Sequence, residues 1–134
     1  MFVDACAIVS LLSLEETAER YGSCLDGADD AWTSPMAAFE AILVLARPEK
    51  LDLSYEAVEA IVVEFLDARD IEVREPGSPR QLLSNAVRAA ARYGVGRRKL
   101  STFDCLHYAA AKVAGCRLLT MDELLRETDV ATAP

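Results

Sequence analysis

Histidine is almost missing from this chain. Its 134 residues hold one, His107, and the cysteines are few and far apart: Cys6, Cys24, Cys105 and Cys116. No pair of them has zinc or redox spacing, so no Cys/His metal site is there to assemble, and the thiols read as small buried hydrophobes in a reducing cytosol. Long apolar runs are lacking as well. The stretch Ala5 to Leu14 is too short to span a bilayer, and Asp4 rather than a basic residue precedes it. Neither a membrane span nor a signal peptide is expected, and a cytosolic protein is. Repeats, low-complexity tracts and long linkers are absent. Basic residues are scarce in the first half, where residues 1–68 carry 3 against 14 acidic ones. With a net charge of −8, the whole chain first speaks against a nucleic-acid partner.

What is present changes that reading. Apolar content of 52% with 27% charge describes a globular protein, and the length suits one domain spanning residues 1–134. Residues 76–117 carry eight basic side chains against Asp104 alone. A basic segment in an acidic protein can meet phosphates locally. Arg88 and Arg92 suit a solvated helix face, whereas the run Arg97-Arg98-Lys99, close before Asp104, is a candidate substrate-binding segment.

The pattern of elements predicts α/β architecture with a mainly parallel sheet. Phe2-Val3-Asp4 reads as a buried strand, residues 7–12 and 14–26 as helices, and Ala31-Trp32-Thr33 as a short strand. Ser34-Pro35 supplies an N-cap and a first-position proline for a helix that Pro48 closes. A helical period over Leu53 to Arg69 precedes a strand at Ile71-Glu72-Val73. Ser78-Pro79 opens a helix ended by Gly94, and Ser101 or Thr102 caps one from about Phe103 to Ala114. A strand at Cys116 to Thr120 and a short helix after Asp122 complete the order.

Glu40 is the one charged residue in the apolar run Met36 to Ala46, and nothing in that run can pair with it. A buried unpaired carboxylate costs several kcal/mol or takes up a proton, so its partner must come from elsewhere, as a metal ion or as other acids sharing one. Asp4 and Asp122 follow strands and Asp104 opens a helix, so in an α/β fold all three can reach one crevice with Glu40. Each aspartate alone also suits a helix cap: Asp4 before its helix, Asp104 in a capping-box spacing with Ser101, Asp122 before Glu123. A shared cation relates all four positions with one assumption. Clustered carboxylates point to Mg²⁺ or Mn²⁺ and to phosphoryl chemistry. His107, one turn past Asp104, is near enough to orient a water or phosphate, though a lone helical histidine reads first as a packed residue. Asp129 reads as an outer acid or a surface charge.

In order along the chain, MFVDACAIVSLL, SPMAAFEAILVLARP, RYGVGRRKLSTFDCLHYAAAKVAG and CRLLTMDELLRETDV resemble the four acidic motifs of PIN-domain ribonucleases. The resemblance covers nearly the whole chain and is specifically to the VapC-type toxins of bacterial toxin–antitoxin pairs. It implies a PIN-like three-layer α/β/α sandwich, a homodimer, and Mg²⁺- or Mn²⁺-dependent endoribonuclease activity on RNA. It also implies a VapB-type antitoxin that blocks the acidic pocket. Carried over residue by residue, Asp4, Glu40, Asp104 and Asp122 match the family's acids, with Glu123 the rival for the fourth. Cys6 stands where members usually carry Ser or Thr, and Phe103 where the residue is commonly small.

Two other functions fit some of these residues. A phosphatase of the haloacid dehalogenase type also starts with an aspartate after its first strand, but needs a second two positions on, where Cys6 stands. A catalytically silent PIN-like module that binds protein or RNA has no reason to keep four mutually repelling carboxylates.

Overall fold

Apolar dipeptides between helical stretches make very short strands. The computed structural model, which describes residues 1–134, aligns five of them in one parallel sheet. β1 (Phe2–Val3) lies at its centre, flanked by β2 (Trp32–Thr33) and β4 (Leu118–Leu119), with β3 (Glu72–Val73) and β5 (Thr132–Ala133) at the edges. Seven helices connect and follow them: α1 (Ala5–Ser13), α2 (Ala18–Asp26), α3 (Pro35–Leu45), α4 (Tyr55–Ala68), α5 (Pro79–Tyr93), α6 (Thr102–Ala114) and α7 (Glu123–Arg126).

Successive strand residues point to opposite faces, and the core divides accordingly. Val3 and Leu119 face a cluster supplied by α1 to α4, including Ile8, Tyr21, Leu45 and Val62. Phe2, Trp32 and Leu118 face the other side, where Ala89 of α5 and Tyr108 and Ala111 of α6 pack. Helices on both faces of a parallel sheet give the three-layer α/β/α sandwich that the motifs imply. No helix is long and apolar enough to cross a membrane.

The helix starts are fixed locally. Ser34, Ser54, Ser78 and Ser101 each accept a backbone N–H at an N-cap, and Ser78 and Ser101 complete capping boxes with Gln81 and Asp104. Two expectations are corrected. The second helix begins at Ala18 instead of residue 14, because Leu14 ends α1 in a left-handed conformation (φ 53°) and leaves Glu15 and Glu16 in the turn. β5 was not expected; it is two residues long and one of them is only partly buried, too little for a periodic signal.

The strand order β3-β2-β1-β4-β5 has a reversal at β1. The chain winds outward from β1 through β2 to β3, then crosses back to lay β4 on the other side. Just outside the carboxyl ends of strands at such a reversal, a crevice opens between the diverging connections. Asp4 follows β1 and Thr120 follows β4, so both stand at its floor.

Candidate active site

Asp4 is 3% exposed, and four neighbours surround its carboxylate. Oδ1 accepts from the Ala5 N–H at 2.8 Å and lies 2.7 Å from His107 Nδ1. Oδ2 accepts from the Thr120 hydroxyl at 2.7 Å and the Cys6 thiol at 3.0 Å. Burial works to raise its pKa, but the charge and contact of His107, with the Cys6 and Thr120 hydrogen bonds, outweigh that and hold it below the ordinary value. The thiol is a weak donor, and Asp4 and its own burial keep it protonated. Burial first and the Asp4 charge second push its pKa up to about 12. Since the thiol donates to Asp4, the Tyr21 hydroxyl 3.2 Å from the sulfur is left to donate to it, while accepting the Met121 N–H at 2.8 Å.

Glu40 sits in the second turn of α3, half-buried, and its partner comes from another helix. His107 Nε2 on α6 lies 3.4 Å from Glu40 Oε2. That contact does not balance the site. Burial, together with the charges of Asp4, Asp104 and Asp122, pushes the Glu40 pKa up to about 7 against the opposing pull of His107. The histidine is itself raised: burial opposes its charged form, and Asp4, Glu40 and Asp104 outweigh burial. Its ring is 1% exposed; Nδ1 is held against Asp4 at hydrogen-bonding distance, whereas Nε2 has no aligned hydrogen bond and its approach to Glu40 is a charge contact.

Asp104 and Asp122 keep the capping roles that their spacing suggests. Asp104 accepts the Ser101 N–H in the capping box of α6, and Asp122 accepts the Leu125 N–H at 3.0 Å at the start of α7. The Asp122 N–H in turn donates to Thr120 Oγ1 at 3.2 Å, linking it to Asp4 through one hydroxyl. Capping and cleft roles thus coincide in the same side chains. Asp4, Glu40, Asp104 and Asp122 line one cleft of about 210 Å³ together with Cys6, Glu15 and three apolar residues. No lysine or arginine lines it. Glu15 forms an ion pair with Lys50.

No three donor side chains stand close enough together to make a preassembled metal set. The reason is visible in the bonds just described. Asp4 is turned toward its four neighbours, and Asp104 and Asp122 each turn an oxygen toward a backbone N–H.

Several residues escaped the sequence reading. Thr120 and Tyr21 complete the Asp4 network, Glu15 joins the cleft, and His107 spans Asp4 and Glu40. Its position three residues after Asp104 was the one available signal. Asp122 lines the cleft, whereas its rival Glu123 is exposed outside it. Arg97, Arg98 and Lys99 are exposed on the loop before Ser101 and form no ion pair, so their charge is free. Val95 and Leu100 bridge the base of that loop, and Leu100 is 1% exposed, anchoring it at the start of α6.

Comparison with known proteins identifies the family. The family model of the PIN domain matches residues 1–131. The VapC ribonuclease Mb0640 of Mycobacterium bovis is 31% identical, over 98% of this chain and 97% of its own length. The ribonuclease VapC of Mycolicibacterium smegmatis is 34% identical, with 98% of each chain covered. Among solved structures, FitAcB from Neisseria gonorrhoeae superposes with a TM-score of 0.62 at 20% identity, covering 99% of this chain and 96% of its own, which is a likeness of fold.

Proposed function

From the premise that the chain belongs to the PIN-domain family and to its VapC branch, we propose that it is a metal-dependent endoribonuclease, the toxin of a toxin–antitoxin pair. The observation that carries this is the convergence of Asp4, Glu40, Asp104 and Asp122, from four separate segments, on one cleft without a lining cation. That donor set fits a hard divalent ion such as Mg²⁺ or Mn²⁺, and the raised pKa of Glu40, due first to burial and then to the neighbouring acids, marks a carboxylate that a cation would favour ionised. A divalent cation there supplies Lewis acidity toward a phosphate oxygen and a more acidic bound water. Asp4 and Glu40 would hold it, with Asp104 and Asp122 oriented by their helix starts. Thr120 and Cys6 keep Asp4 ionised and aimed.

Arg97, Arg98 and Lys99 lie on the loop that leads into α6 shortly before Asp104, and would hold an RNA backbone by its phosphates. The cytosol, where RNA is accessible, is the proposed place of action. The proposed partners are RNA, a second copy of the chain and a VapB-type antitoxin. A basic antitoxin side chain entering the cleft would meet the same uncompensated carboxylates that attract a metal. Met36 and Phe39, 39% and 50% exposed on the helix that carries Glu40, offer apolar contact beside it.

The test is incubation of purified protein with total RNA, with and without Mg²⁺, beside Asp4→Asn and Glu40→Gln. Metal-dependent cleavage, lost in both variants, is expected. Cleavage persisting in EDTA or in both variants would sink the mechanism, and RNA binding without cleavage would favour the silent module.

A further inference from the structure

The buried imidazole of His107 has no role in the reading above, and its surroundings give it one. We infer that His107 Nε2 is a ligand of the divalent cation at this site, making it a mixed nitrogen–oxygen centre that favours Mn²⁺ over Mg²⁺. The inference rests on the metal reading of the same cleft.

Three observations carry it. First, Nε2 of a ring 1% exposed has no aligned hydrogen bond, which is costly to leave so, and a ligand relieves that cost. Second, Nε2 stands 3.4 Å from Glu40 Oε2. Two donors on one cation, each about 2.1–2.2 Å from it, lie about 3.0–3.6 Å apart at octahedral to tetrahedral angles. Third, Nδ1 faces Asp4 Oδ1 at 2.7 Å. A carboxylate behind one nitrogen, fixing the ring while the other nitrogen binds metal, is the usual support of a ligating histidine. Phe2 and Phe103, with ring centroids 6.0 and 6.2 Å away, hold the ring in that orientation. Replacing one oxygen donor by imidazole moves a site away from Mg²⁺, which prefers oxygen, toward Mn²⁺ and later transition metals.

His107 is the sole histidine, so labelling with [¹⁵N]histidine marks this one ring without altering the fold. The experiment is pulsed EPR on the full-length protein loaded with Mn²⁺, unlabelled and labelled. Electron-spin echo modulation from ¹⁴N, replaced by the ¹⁵N pattern on labelling, is expected. Calorimetric titration of His107→Gln with Mn²⁺ and Mg²⁺ should show the Mn²⁺ preference falling by roughly tenfold or more, the scale on which metal sites respond to loss of supporting residues. Bound Mn²⁺ without nitrogen coupling would overturn the inference and leave the carboxylate site standing. Failure of the wild-type protein to bind Mn²⁺ at all would overturn both. A variant that binds Mn²⁺ more tightly would show the ring to be a competitor of the metal, and would equally end the inference.

Discussion

His107 and Tyr108 are neighbours on α6, and each reaches a carboxylate, yet the two carboxylate networks are opposites. On the Tyr108 side, Asp129 is answered from every direction. It accepts the Tyr108 hydroxyl at 2.8 Å and pairs with Arg92 at 2.8 Å and Lys112 at 3.4 Å, and its N–H donates to Tyr93. The Tyr108 bond, ahead of the others, holds its pKa at about 2. On the His107 side, one imidazole meets both Asp4 and Glu40, and Glu40, by burial first and the neighbouring acids second, rises to about 7. A carboxylate whose charge is matched by its own protein ties elements together. One whose charge is left over is waiting for something the chain does not supply. The difference between clasp and site lies in burial and charge balance, not in residue type.

The largest effect that would break this comparison is on chemistry. Asp4→Asn should cut RNA cleavage by about 10²–10³-fold, the scale on which a lost transition-state electrostatic contact is felt. Circular dichroism should remain that of the wild type, since Asn also caps a helix. A loss of less than about threefold would place Asp4 among the clasps.

Metal should then act on one network only. At a concentration 100 times its Kd, a divalent ion binding only the folded state adds about 2.7 kcal/mol to stability. Mn²⁺ is expected to raise the melting temperature of the wild type and to leave Asp4→Asn nearly unmoved. An equal rise in both would put the ion elsewhere.

The networks should also respond to pH with opposite signs. Glu40, raised from 4.5 to about 7, holds its proton in the folded state where the unfolded chain has lost it. Its contribution is present below pH 4.5 and is lost as pH rises toward 7. Asp129, lowered from 3.8 to about 2, contributes above the unfolded value and loses that as pH falls from 3.8 toward 2. Urea midpoints across pH should therefore flatten between 4.5 and 7 in Glu40→Gln, and below 4 in Asp129→Asn. A variant flattening the other's window would undo the contrast.

The smallest effect is Tyr108→Phe, which should cost about 1 kcal/mol by chemical denaturation while changing cleavage less than about twofold. A catalytic loss as large as that of Asp4→Asn would join the two networks.

Much of this was legible in order and spacing. The lone charge in the apolar run marked Glu40, strand–helix junctions marked Asp4 and Asp122, and the capping-box spacing set Asp104 one turn inside its helix. The parallel sheet followed from alternating elements. What was hidden depends on distances between segments remote in sequence. Glu40 and His107 are 67 positions apart and meet only because α3 and α6 pack against each other. Glu15 looked like the acidic start of a helix until the left-handed turn at Leu14 placed it in the cleft. Asp129 looked like a surface charge because its partners are Tyr93, Tyr108, Arg92 and Lys112 of two preceding helices.

Two of the four acids, Asp4 and Asp122, are also the N-caps of the helices they precede, and that double duty has a genetic consequence. Asparagine serves a cap nearly as well as aspartate, and one base change in either aspartate codon produces it. Such a change at position 4 or 122 removes a charge from the cleft while leaving the helix its first bond. The easiest inactivating route thus yields an intact fold. A cell carrying that allele would keep a folded protein without the proposed nuclease activity.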